Sequence, residues 1–283
     1  MNLKRLYQNT KKILKEAGIS SYEVDARLIV QYCLNMSRED FILKSDDIVS
    51  DQDKMRVESI VQQRLQHKPL AKIFGVKEFW GLDFKTTEDT LDPRPDSETL
   101  IEAVLEQCAD RSYPYRILDI GTGTGCLIIS LLTELPGAQG VAIDISDKAL
   151  DVARENRALH EVGDRLVFQN IGWNDFSSQE AFDIVISNPP YISEDEKKDL
   201  SPEVLNFDPH VALFAKNQGL KPYQEIAVRL LDLLKDQNSF AAFEFGYSQA
   251  SAVSDILQKN GYQYCHVYQD LSGHDRCIVT KSG

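Results

Sequence analysis

The pattern of apolar and polar positions divides the chain into three stretches. Residues 1–72 place their apolar side chains at helical spacing and lack strand-like alternation, which predicts a small helical domain. Residues 73–95 mix aromatic and β-branched side chains with Gly, Asp and Pro, as a hairpin or an extended linker does. Residues 96–283 alternate short apolar runs with helix-length segments. We therefore expect two domains joined by a hairpin or linker.

Three serine motifs mark predicted helix starts in the first stretch. Ser20 and Glu23 have the spacing of a capping box, while Ser37 and Ser50 each precede an acid by three residues, as N-cap residues do. The segment after Ser20 is predicted to place five apolar side chains on one helical face: Val24, Leu28, Ile29, Tyr32 and Cys33. The pattern predicts a helical bundle.

The third stretch predicts a parallel sheet. Its apolar runs are 116–120, 141–145, 166–169, 182–187 and 240–245. Runs that are apolar on both faces and separated by helices are typical of strands covered by helices on both sides. The tail contains two more strand-like runs joined by a glycine-containing turn, which indicates an antiparallel edge. The predicted fold is doubly wound α/β.

The net charge and the spacing of the cysteines argue against several classes of function. The chain of 283 residues has 31 basic and 44 acidic side chains, which gives a net charge of -13. Because such a charge repels polyanions, we do not expect the protein to bind nucleic acid directly. Its five cysteines are scattered without C-x-x-C or zinc spacing, which argues against a disulfide framework or a metal site and for a reducing compartment. No apolar run approaches the roughly 20 residues of a membrane span. We expect a cytoplasmic protein without a membrane partner.

A glycine-rich loop follows the first apolar run. The loop consists of Gly121, Thr122, Gly123, Thr124 and Gly125, between a predicted buried strand and an apolar helix. Glycine permits a tight turn and lets a ligand approach the backbone. Asp144 ends the next predicted strand, where an acid can accept hydrogen bonds from both ribose hydroxyls of an adenosine. Loop and acid together predict a nucleoside site.

The spacing of the loop favours one kind of nucleoside. A dinucleotide site requires G-x-G-x-x-G, but Cys126 occupies the last position of that pattern here. Asp119, just before the loop, is unfavourable for a pyrophosphate and suitable for an ammonium group. S-adenosylmethionine carries that ammonium group. The alternative is that the glycines only make a tight turn and that Asp144 only caps a helix.

The second motif is Asn188-Pro189-Pro190-Tyr191, directly after the run at 182–187. The Asn188 side-chain oxygen and the Pro189 carbonyl can each accept one N–H from a planar NH2 group. The two prolines stiffen the turn, and Tyr191 can pack against the planar group. The expected target is an amide or an exocyclic amine, and the alternative is a plain proline turn.

Such a nitrogen is a weak nucleophile because its lone pair is delocalised. Two acceptors on its hydrogens increase the electron density on nitrogen and align it with a methyl donor, so catalysis rests on orientation and electrostatics. Asn188 and Pro189 are therefore the candidate catalytic residues.

These motifs together resemble the HemK/PrmC family, the peptide chain release factor N5-glutamine methyltransferases. The resemblance covers essentially the whole chain and rests on the motifs EFWG at 78–81, DPRPDSE at 92–98, GTGTG at 121–125, NPPY at 188–191, FDP at 207–209, FEFGYSQ at 243–249 and DLSGHDR at 270–276. It implies a class I S-adenosylmethionine-dependent methyltransferase fold, Rossmann-like, with a seven-stranded, mostly parallel sheet. It also implies that the substrate is the glutamine of the Gly-Gly-Gln motif in a class 1 peptide chain release factor, docked by the N-terminal helices.

The resemblance also implies roles for residues of this chain. Residues 121–125 would hold the methionine part of S-adenosylmethionine, Asp144 its ribose, and Trp173 would lie near its adenine. Asn188 would contact both donor and substrate, and residues 188–191, which include Pro190 and Tyr191, would bind the substrate glutamine.

The chain departs from the family pattern at two positions. Gly172 stands where the family often has an acid before the tryptophan, and Asp208 stands where a glutamate is frequent. For Arg94 and Glu98 two interpretations are open: they shape the substrate entrance, or they pair with each other.

Two other functions share part of these features. Adenine-N6 methyltransferases acting on DNA or RNA use the same Asn-Pro-Pro-Tyr chemistry, but they need a basic surface and a base-flipping pocket. A binding module could keep the nucleoside site without turnover, but the intact Asn-Pro-Pro-Tyr motif argues against it.

Overall fold

The computed structural model describes residues 1–262 and 264–281. Its helices are α1 (Leu3–Glu16), α2 (Tyr22–Leu34), α3 (Arg38–Leu43), α4 (Asp51–Leu65), α5 (Leu70–Phe74), α6 (Glu98–Gln107), α7 (Cys126–Glu134), α8 (Asp147–Leu159), α9 (Pro202–Phe207), α10 (His210–Leu213), α11 (Lys221–Leu233) and α12 (Ala250–Lys259). Its strands are β1 (Val76–Phe79), β2 (Leu82–Lys85), β3 (Arg116–Ile120), β4 (Gln139–Asp144), β5 (Leu166–Asn170), β6 (Ile184–Ser187), β7 (Ile192–Ser193), β8 (Phe214–Ala215), β9 (Phe240–Glu244), β10 (Tyr264–Gln269) and β11 (Asp275–Lys281). Within these described stretches, no helix combines the length and apolarity that crossing a bilayer requires.

The chain divides into two compact units. The first, called the helical unit below, consists of Met1–Gly75 and Pro202–Phe207, and the second consists of Val76–Ser201 and Asp208–Gly283. The second is called the α/β unit. The domain limits that the sequence pattern predicts, 1–72, 73–95 and 96–283, remain predictions.

The helical unit has its own apolar core, formed by α1, α2 and α4. Two of the three predicted N-caps are confirmed, since Ser37 Oγ accepts the Asp40 N–H at 3.0 Å and Ser50 Oγ accepts the Asp53 N–H at 3.1 Å. The prediction for Ser20 is wrong. Helix α2 begins at Tyr22, one position later than the capping box requires.

The predicted apolar face of α2 is also wrong in part. Ile29 and Cys33 are buried, but Val24, Leu28 and Tyr32 are 49%, 40% and 45% exposed. The buried face is formed by Asp25, Ala26, Ile29, Val30 and Cys33. The buried face of α2 differs from the predicted one because it includes the carboxylate of Asp25, whose partner lies in another helix.

That partner is Arg64, near the end of α4, whose side chain is 2% exposed. Its Nε donates to Asp25 Oδ2 at 2.7 Å, and its guanidinium also donates to Glu203 of α9. The hydroxyl of Ser21 donates to the same Asp25 oxygen at 2.8 Å. A buried ion pair of this kind needs both charges, because either one alone would be buried and uncompensated.

We predict that Arg64→Ala lowers the free energy of unfolding of the helical unit by about 3–5 kcal/mol, because it leaves Asp25 buried without its cation. The matched control is Arg56→Ala on the same helix, since Arg56 is 52% exposed and pairs only at the surface with Asp53. The control should cost less than about 1 kcal/mol. Urea unfolding followed by far-ultraviolet circular dichroism measures both, and equal losses would contradict the prediction.

The α/β unit begins with a hairpin in which β1 and β2 pair antiparallel. Its two-residue turn consists of Trp80 and Gly81, which both have positive φ, 54° and 71°, as the tightest hairpin turns require. Phe79 and Phe84 of the hairpin are buried in the apolar core beside the main sheet. The hairpin is thus a packed part of this unit.

The main sheet contains seven of the described strands, in the order β10-β11-β9-β6-β3-β4-β5. β9, β6, β3, β4 and β5 pair in parallel, whereas β11 is antiparallel to both of its neighbours. This confirms the predicted seven-stranded, mostly parallel sheet. Gln263, just before β10 in the predicted antiparallel tail, lies outside the described residues, as do Ser282 and Gly283.

The register of the central strands positions the site. Ile120 at the end of β3 lies opposite Ile143 of β4 on one side and Ser187 of β6 on the other. The residues that follow these strand ends therefore leave the sheet at one edge. Gly121 follows β3, Asn188 follows β6, and Asp144 is the last residue of β4, so all three lie at this edge.

Candidate functional site

The glycine loop is held against the end of β4. The N–H groups of Gly121 and Thr122 both donate to the Ile143 carbonyl, at 2.9 and 3.0 Å. Gly121, Gly123 and Gly125 have φ values of 75°, 56° and 79°. Side chains other than glycine rarely adopt this backbone conformation, so the loop requires its three glycines.

Asp119 lies beneath the loop and is fully buried. Thr122 Oγ1 donates to Asp119 Oδ2 at 2.6 Å, while Oδ1 has no hydrogen-bond partner among the described residues. Burial raises the pKa of the Asp119 carboxyl to about 7, and the Thr122 hydrogen bond opposes this rise. The site thus contains a buried acid with an unused acceptor.

Asp144 ties the loop to the start of α8. Its Oδ2 accepts the Gly123 N–H and its Oδ1 accepts the Ser146 N–H, both at 2.9 Å. Burial raises the pKa of Asp144, and these backbone hydrogen bonds oppose the rise. The N-cap of α8 is Ser146, whose Oγ accepts the Ala149 N–H at 3.2 Å. The interpretation of Asp144 as only a helix cap is therefore not supported.

The Asn-Pro-Pro-Tyr turn leaves β6 beside the loop. Asn188 Nδ2 donates to Ser97 Oγ at 3.2 Å, which leaves Asn188 Oδ1 as the acceptor of that amide. The hydroxyl of Tyr191 donates to Glu244 Oε1 at 3.3 Å, and the Tyr191 carbonyl accepts from Gln249 Nε2 at 3.0 Å. Both ends of the turn are therefore held by side chains from other elements.

A cavity of about 310 Å³ opens at this edge of the sheet. Six predicted site residues line it: Gly121, Gly123, Asp144, Trp173, Asn188 and Pro190. Five do not: Thr122, Thr124, Gly125, Pro189 and Tyr191. Thr122 bonds to Asp119, and Gly125 packs against α7 and α8, where a Cβ would lie 3.0 Å from Ile129 Cδ1.

Trp173 forms part of the cavity wall. Its ring packs partly against the apolar core, and its Nε1 donates to Glu225 Oε2 at 3.0 Å. Glu225 lines the cavity as well, and Lys221 and Trp173 hold its pKa below the ordinary value of a glutamate despite the opposing effect of burial. At Gly172 a Cβ would lie 3.4 Å from Ile145 Cγ2. Gly172, where the family often has an acid, has no side chain to supply one. The acid beside Trp173 is instead Glu225 of α11.

Several lining residues were not predicted. They include Asp89, Thr90 and Leu91, the segment around Pro209 to Lys216, and Lys221, Pro222 and Glu225, together with Ile143, Ile145, Ser146, Ala149 and Ile171. The FDP motif at 207–209 was the one available signal for the second group. The others lie in segments without a motif, and the fold alone brings them to the cavity.

Arg94 and Glu98 do not pair with each other. Arg94 forms an ion pair with Asp208, whose side chain is 1% exposed, and Glu98 Oε1 accepts the Trp80 N–H at 2.9 Å. Of the two interpretations left open by the sequence, the pairing of Arg94 with Glu98 is therefore excluded. The partners are distant in sequence, so helical spacing could not indicate them.

The chain matches two family models. Residues 5–75 match the PrmC N-terminal domain, and residues 89–206 match the Methyltransferase small domain.

Curated proteins are similar over nearly the whole chain. A release factor glutamine methyltransferase of Rhodospirillum rubrum is 38% identical, over 95% of this chain and 81% of that protein. A bifunctional methyltransferase of Rickettsia typhi is 36% identical, over 98% of this chain and 57% of that protein. The chain thus spans little more than half of this longer relative.

Solved structures of low sequence identity share the fold. The hMettl16 catalytic domain, solved with a MAT2A 3′UTR hairpin, has a TM-score of 0.58 at 16% identity and covers 89% of this chain and 90% of that one. A methyltransferase from Pyrococcus furiosus has a TM-score of 0.51 at 17% identity, over 80% of this chain and 99% of that one. The sheet, the glycine loop and these likenesses define a class I methyltransferase fold, of the kind that uses S-adenosylmethionine. The chain belongs to the release factor glutamine methyltransferase family.

Asp119 should make the stability of the α/β unit depend on pH. In the unfolded chain its carboxyl ionises near pH 4, whereas its folded pKa is about 7. Between these values the folded state holds one more proton, so this contribution to stability is complete below about pH 4 and is lost as the pH rises through 7. The slope is at most about 1.4 kcal/mol per pH unit.

The variant Asp119→Asn removes that contribution. Urea unfolding at several pH values, followed by the fluorescence of Trp80 and Trp173 in the same unit, measures it. We expect the free energy of unfolding of the wild type, relative to the variant, to fall from about pH 5 to about pH 7. A difference that stays constant over this range would contradict the assigned pKa.

Proposed function

We propose that this chain transfers a methyl group from S-adenosylmethionine to the side-chain amide nitrogen, N5, of the glutamine in the Gly-Gly-Gln motif of class 1 peptide chain release factors. One observation carries the proposal: Gly121, Gly123 and Asp144 face the same cavity as Asn188 and Pro190. A nucleoside-binding loop and a turn suited to a planar amide thus share one space. The name of the Rhodospirillum rubrum relative supports the same substrate.

The residues at the loop fit the methyl donor. The buried acceptor Asp119 Oδ1, beneath the loop, has no partner among the described residues, which is compatible with a cationic group nearby, although Asp119 itself does not line the cavity. A Cβ at Gly123 would meet nothing within 4 Å, so the backbone there is open to a ligand. Asp144 retains lone pairs for ribose hydroxyls, and Trp173 offers a flat apolar wall for adenine. When bound, S-adenosylmethionine supplies a methyl group activated by its sulfonium.

The Asn-Pro-Pro-Tyr turn fits the glutamine amide. Asn188 Oδ1 and the carbonyl of Pro189, which lies between two residues of the cavity wall although Pro189 itself does not line it, would accept the two N–H groups of the substrate and hold its nitrogen toward the methyl group. This orientation restores electron density to the nitrogen and removes the need for a strong base before transfer, because the nitrogen becomes acidic only after methylation and its proton then passes to water. The contribution of the chain is orientation and electrostatics.

The charge of the chain favours a protein substrate over a nucleic-acid substrate. Methylation of adenine N6 would use the same turn, but the net charge of -13 opposes nucleic-acid binding. The RNA hairpin in the hMettl16 structure belongs to a protein of 16% identity, whose likeness concerns the fold alone. The proposal also places the protein in the cytoplasm, because release factors act there in translation termination.

Asn188→Ala should abolish nearly all turnover on the release factor while donor binding weakens less. Loss of one preorganised contact to the reacting group typically costs about 100-fold or more in rate. Methyl transfer to purified release factor measures the rate, and calorimetric titration with S-adenosylmethionine measures the affinity. A variant with near-native turnover would rule out the proposed role of Asn188.

Asp144→Ala should chiefly weaken donor binding. The lost charged acceptor contributes about 1.5–3 kcal/mol to the binding free energy. Asp147→Ala is the matched control, since Asp147 is an exposed acid in the first turn of α8 that pairs with Arg154 at 3.6 Å. Calorimetric titration of both variants should separate them. Equal affinities in the two folded variants would contradict a ribose contact.

The helical unit should dock the release factor, because a glutamine side chain alone cannot identify one protein among many. Its helix α3 exposes Ile42 and Leu43, at 67% and 81%. The double variant Ile42→Asp, Leu43→Asp should raise KM for intact release factor about tenfold or more. KM for a short Gly-Gly-Gln peptide should not change.

The matched control is the double variant Val228→Asp, Leu231→Asp, because these residues are 62% and 59% exposed on α11 of the other unit. The control should leave both KM values unchanged. If the α3 variant lowers activity equally on intact release factor and on the peptide, the helices have a structural role and the docking proposal is wrong.

A further inference from the structure

One glutamine side chain connects two segments of the cavity wall. Gln249 is the N-cap residue of α12 and ends the FEFGYSQ motif at 243–249, to which the proposed methyl transfer assigns no role. Its Nε2 donates to the Tyr191 carbonyl at 3.0 Å and to the Gln218 carbonyl at 3.1 Å. Its Oε1 accepts the Gly246 N–H at 3.0 Å. Both the nitrogen and the oxygen of this amide therefore have protein partners.

The two carbonyls that Gln249 binds belong to different parts of the cavity wall. Tyr191 ends the Asn-Pro-Pro-Tyr turn, whose first residue, Asn188, lines the cavity. Gln218 lies in the connection between β8 and α11, and both of these elements contribute lining residues. Gln249 itself does not line the cavity, so it can act on the site only through these two segments.

The backbones of the two segments also touch each other. At Gly219 an added Cβ would lie 1.9 Å from the Tyr191 carbonyl oxygen and 2.6 Å from Gln249 Nε2. Asn217, Gln218 and Gly219 all have positive φ, at 56°, 56° and 80°. Two of these three are not glycine, and such a backbone persists only where its surroundings impose it. The hydrogen bond from Gln249 to the Gln218 carbonyl is one contact that does so.

We propose that Gln249 is a positioning residue that holds the Asn-Pro-Pro-Tyr turn in a fixed place relative to the β8–α11 connection. It thereby sets the direction of Asn188 Oδ1 and of the Pro189 carbonyl. Because proline fixes φ at about −65°, the two prolines of the turn transmit a displacement of Tyr191 toward Asn188 instead of absorbing it. This inference deepens the proposed glutamine methylation and rests on it.

A glutamine amide matches the three partners of this position. Two carbonyl oxygens face its nitrogen and one N–H faces its oxygen, so the side chain must supply donors at one atom and an acceptor at the other. A glutamate of the same shape would keep the acceptor but would place an oxygen against the Tyr191 and Gln218 carbonyls. An alanine would remove all three hydrogen bonds without adding this repulsion. The order of the two variants therefore separates hydrogen bonding from space filling.

The test measures methyl transfer by full-length chains to intact release factor at pH 8, well above the ordinary pKa of a glutamate. Gln249→Glu should lower kcat about tenfold or more, and Gln249→Ala should lower it less, while KM for release factor changes less than about threefold.

Two simpler roles predict the opposite order. If the side chain only fills space, the glutamate variant should match the wild type and the alanine variant should be worse. If the residue only begins α12, the glutamate should be neutral or favourable, because an acid is favourable at a helix N-terminus. Either result would overturn the positioning role of Gln249.

Gln258→Glu is the matched control for the change in charge. Gln258 is exposed on the same helix, and its Nε2 donates to Ser254, one turn earlier, at 3.4 Å. Its kcat should match that of the wild type. A Gln249→Glu variant that is as active as this control would contradict the proposal.

Gly219→Ala tests the same contact from the other segment. The added Cβ would collide with the Tyr191 carbonyl, so kcat should fall about tenfold or more. Gly273→Ala is the matched control, since Gly273 has the same φ of 80° but nothing lies within 4 Å of an added Cβ. Both variants carry similar backbone strain, and only the first displaces the turn. Equal kcat values in the two folded variants would contradict the proposed contact.

A second readout does not depend on turnover. In chains labelled with 15N-asparagine, the side-chain NH2 signal of Asn188, identified by its loss in Asn188→Ala, should move in Gln249→Glu and stay in place in Gln258→Glu. A wild-type chain that does not methylate release factor would refute the proposed function, while the moved Asn188 signal would still support the positioning of the turn. An Asn188 signal that is the same in both glutamate variants would overturn the positioning itself.

Discussion

The parallel register of three neighbouring strands is the constraint on which the site depends. β3 pairs with β4 on one side and with β6 on the other, so their carboxyl ends meet at one edge of the sheet. The glycine loop, Asp144 and the Asn-Pro-Pro-Tyr turn are distant in sequence, and this register alone brings them to one cavity. The apolar runs that form the strands therefore determine where the polar chemistry lies.

Burial of polar groups is the second physical feature of the site. Asp119 and Glu244 are both inaccessible, and each has a raised pKa because the charged form is disfavoured in the protein interior. Each also has a hydroxyl partner, Thr122 or Tyr191, that holds the carboxyl in one orientation. These contacts are present without a ligand, as preorganisation for catalysis by orientation requires.

The sequence pattern predicted the elements that depend on interactions within a short segment of the chain. The apolar runs predicted the strands of the main sheet, and Ser37 and Ser50 predicted their helix starts, because an N-cap acts within one turn. The glycine loop and the Asn-Pro-Pro-Tyr motif predicted four of the cavity-lining residues, since their chemistry is contained in short segments, while Asp144 was predicted from the end of the next strand and Trp173 from the family resemblance.

Contacts between distant segments could not be predicted in this way. The face of α2 depends on the ion pair between Asp25 and Arg64 of another helix. The partner of Arg94 is Asp208, and the acid beside Trp173 is Glu225 from α11. Each partner is brought into place by the fold, and no periodicity or motif spacing encodes it.

The central claim is that the cavity joins a methyl donor to a glutamine amide of a release factor. The most direct measurement is incubation of the chain with S-adenosylmethionine labelled in its methyl group, together with purified class 1 release factor or with nucleic acid, followed by mass-spectrometric mapping of the label. We predict label on N5 of the glutamine in the Gly-Gly-Gln motif and none on nucleic acid. Label on adenine N6, or on a different residue of the release factor, would contradict the account.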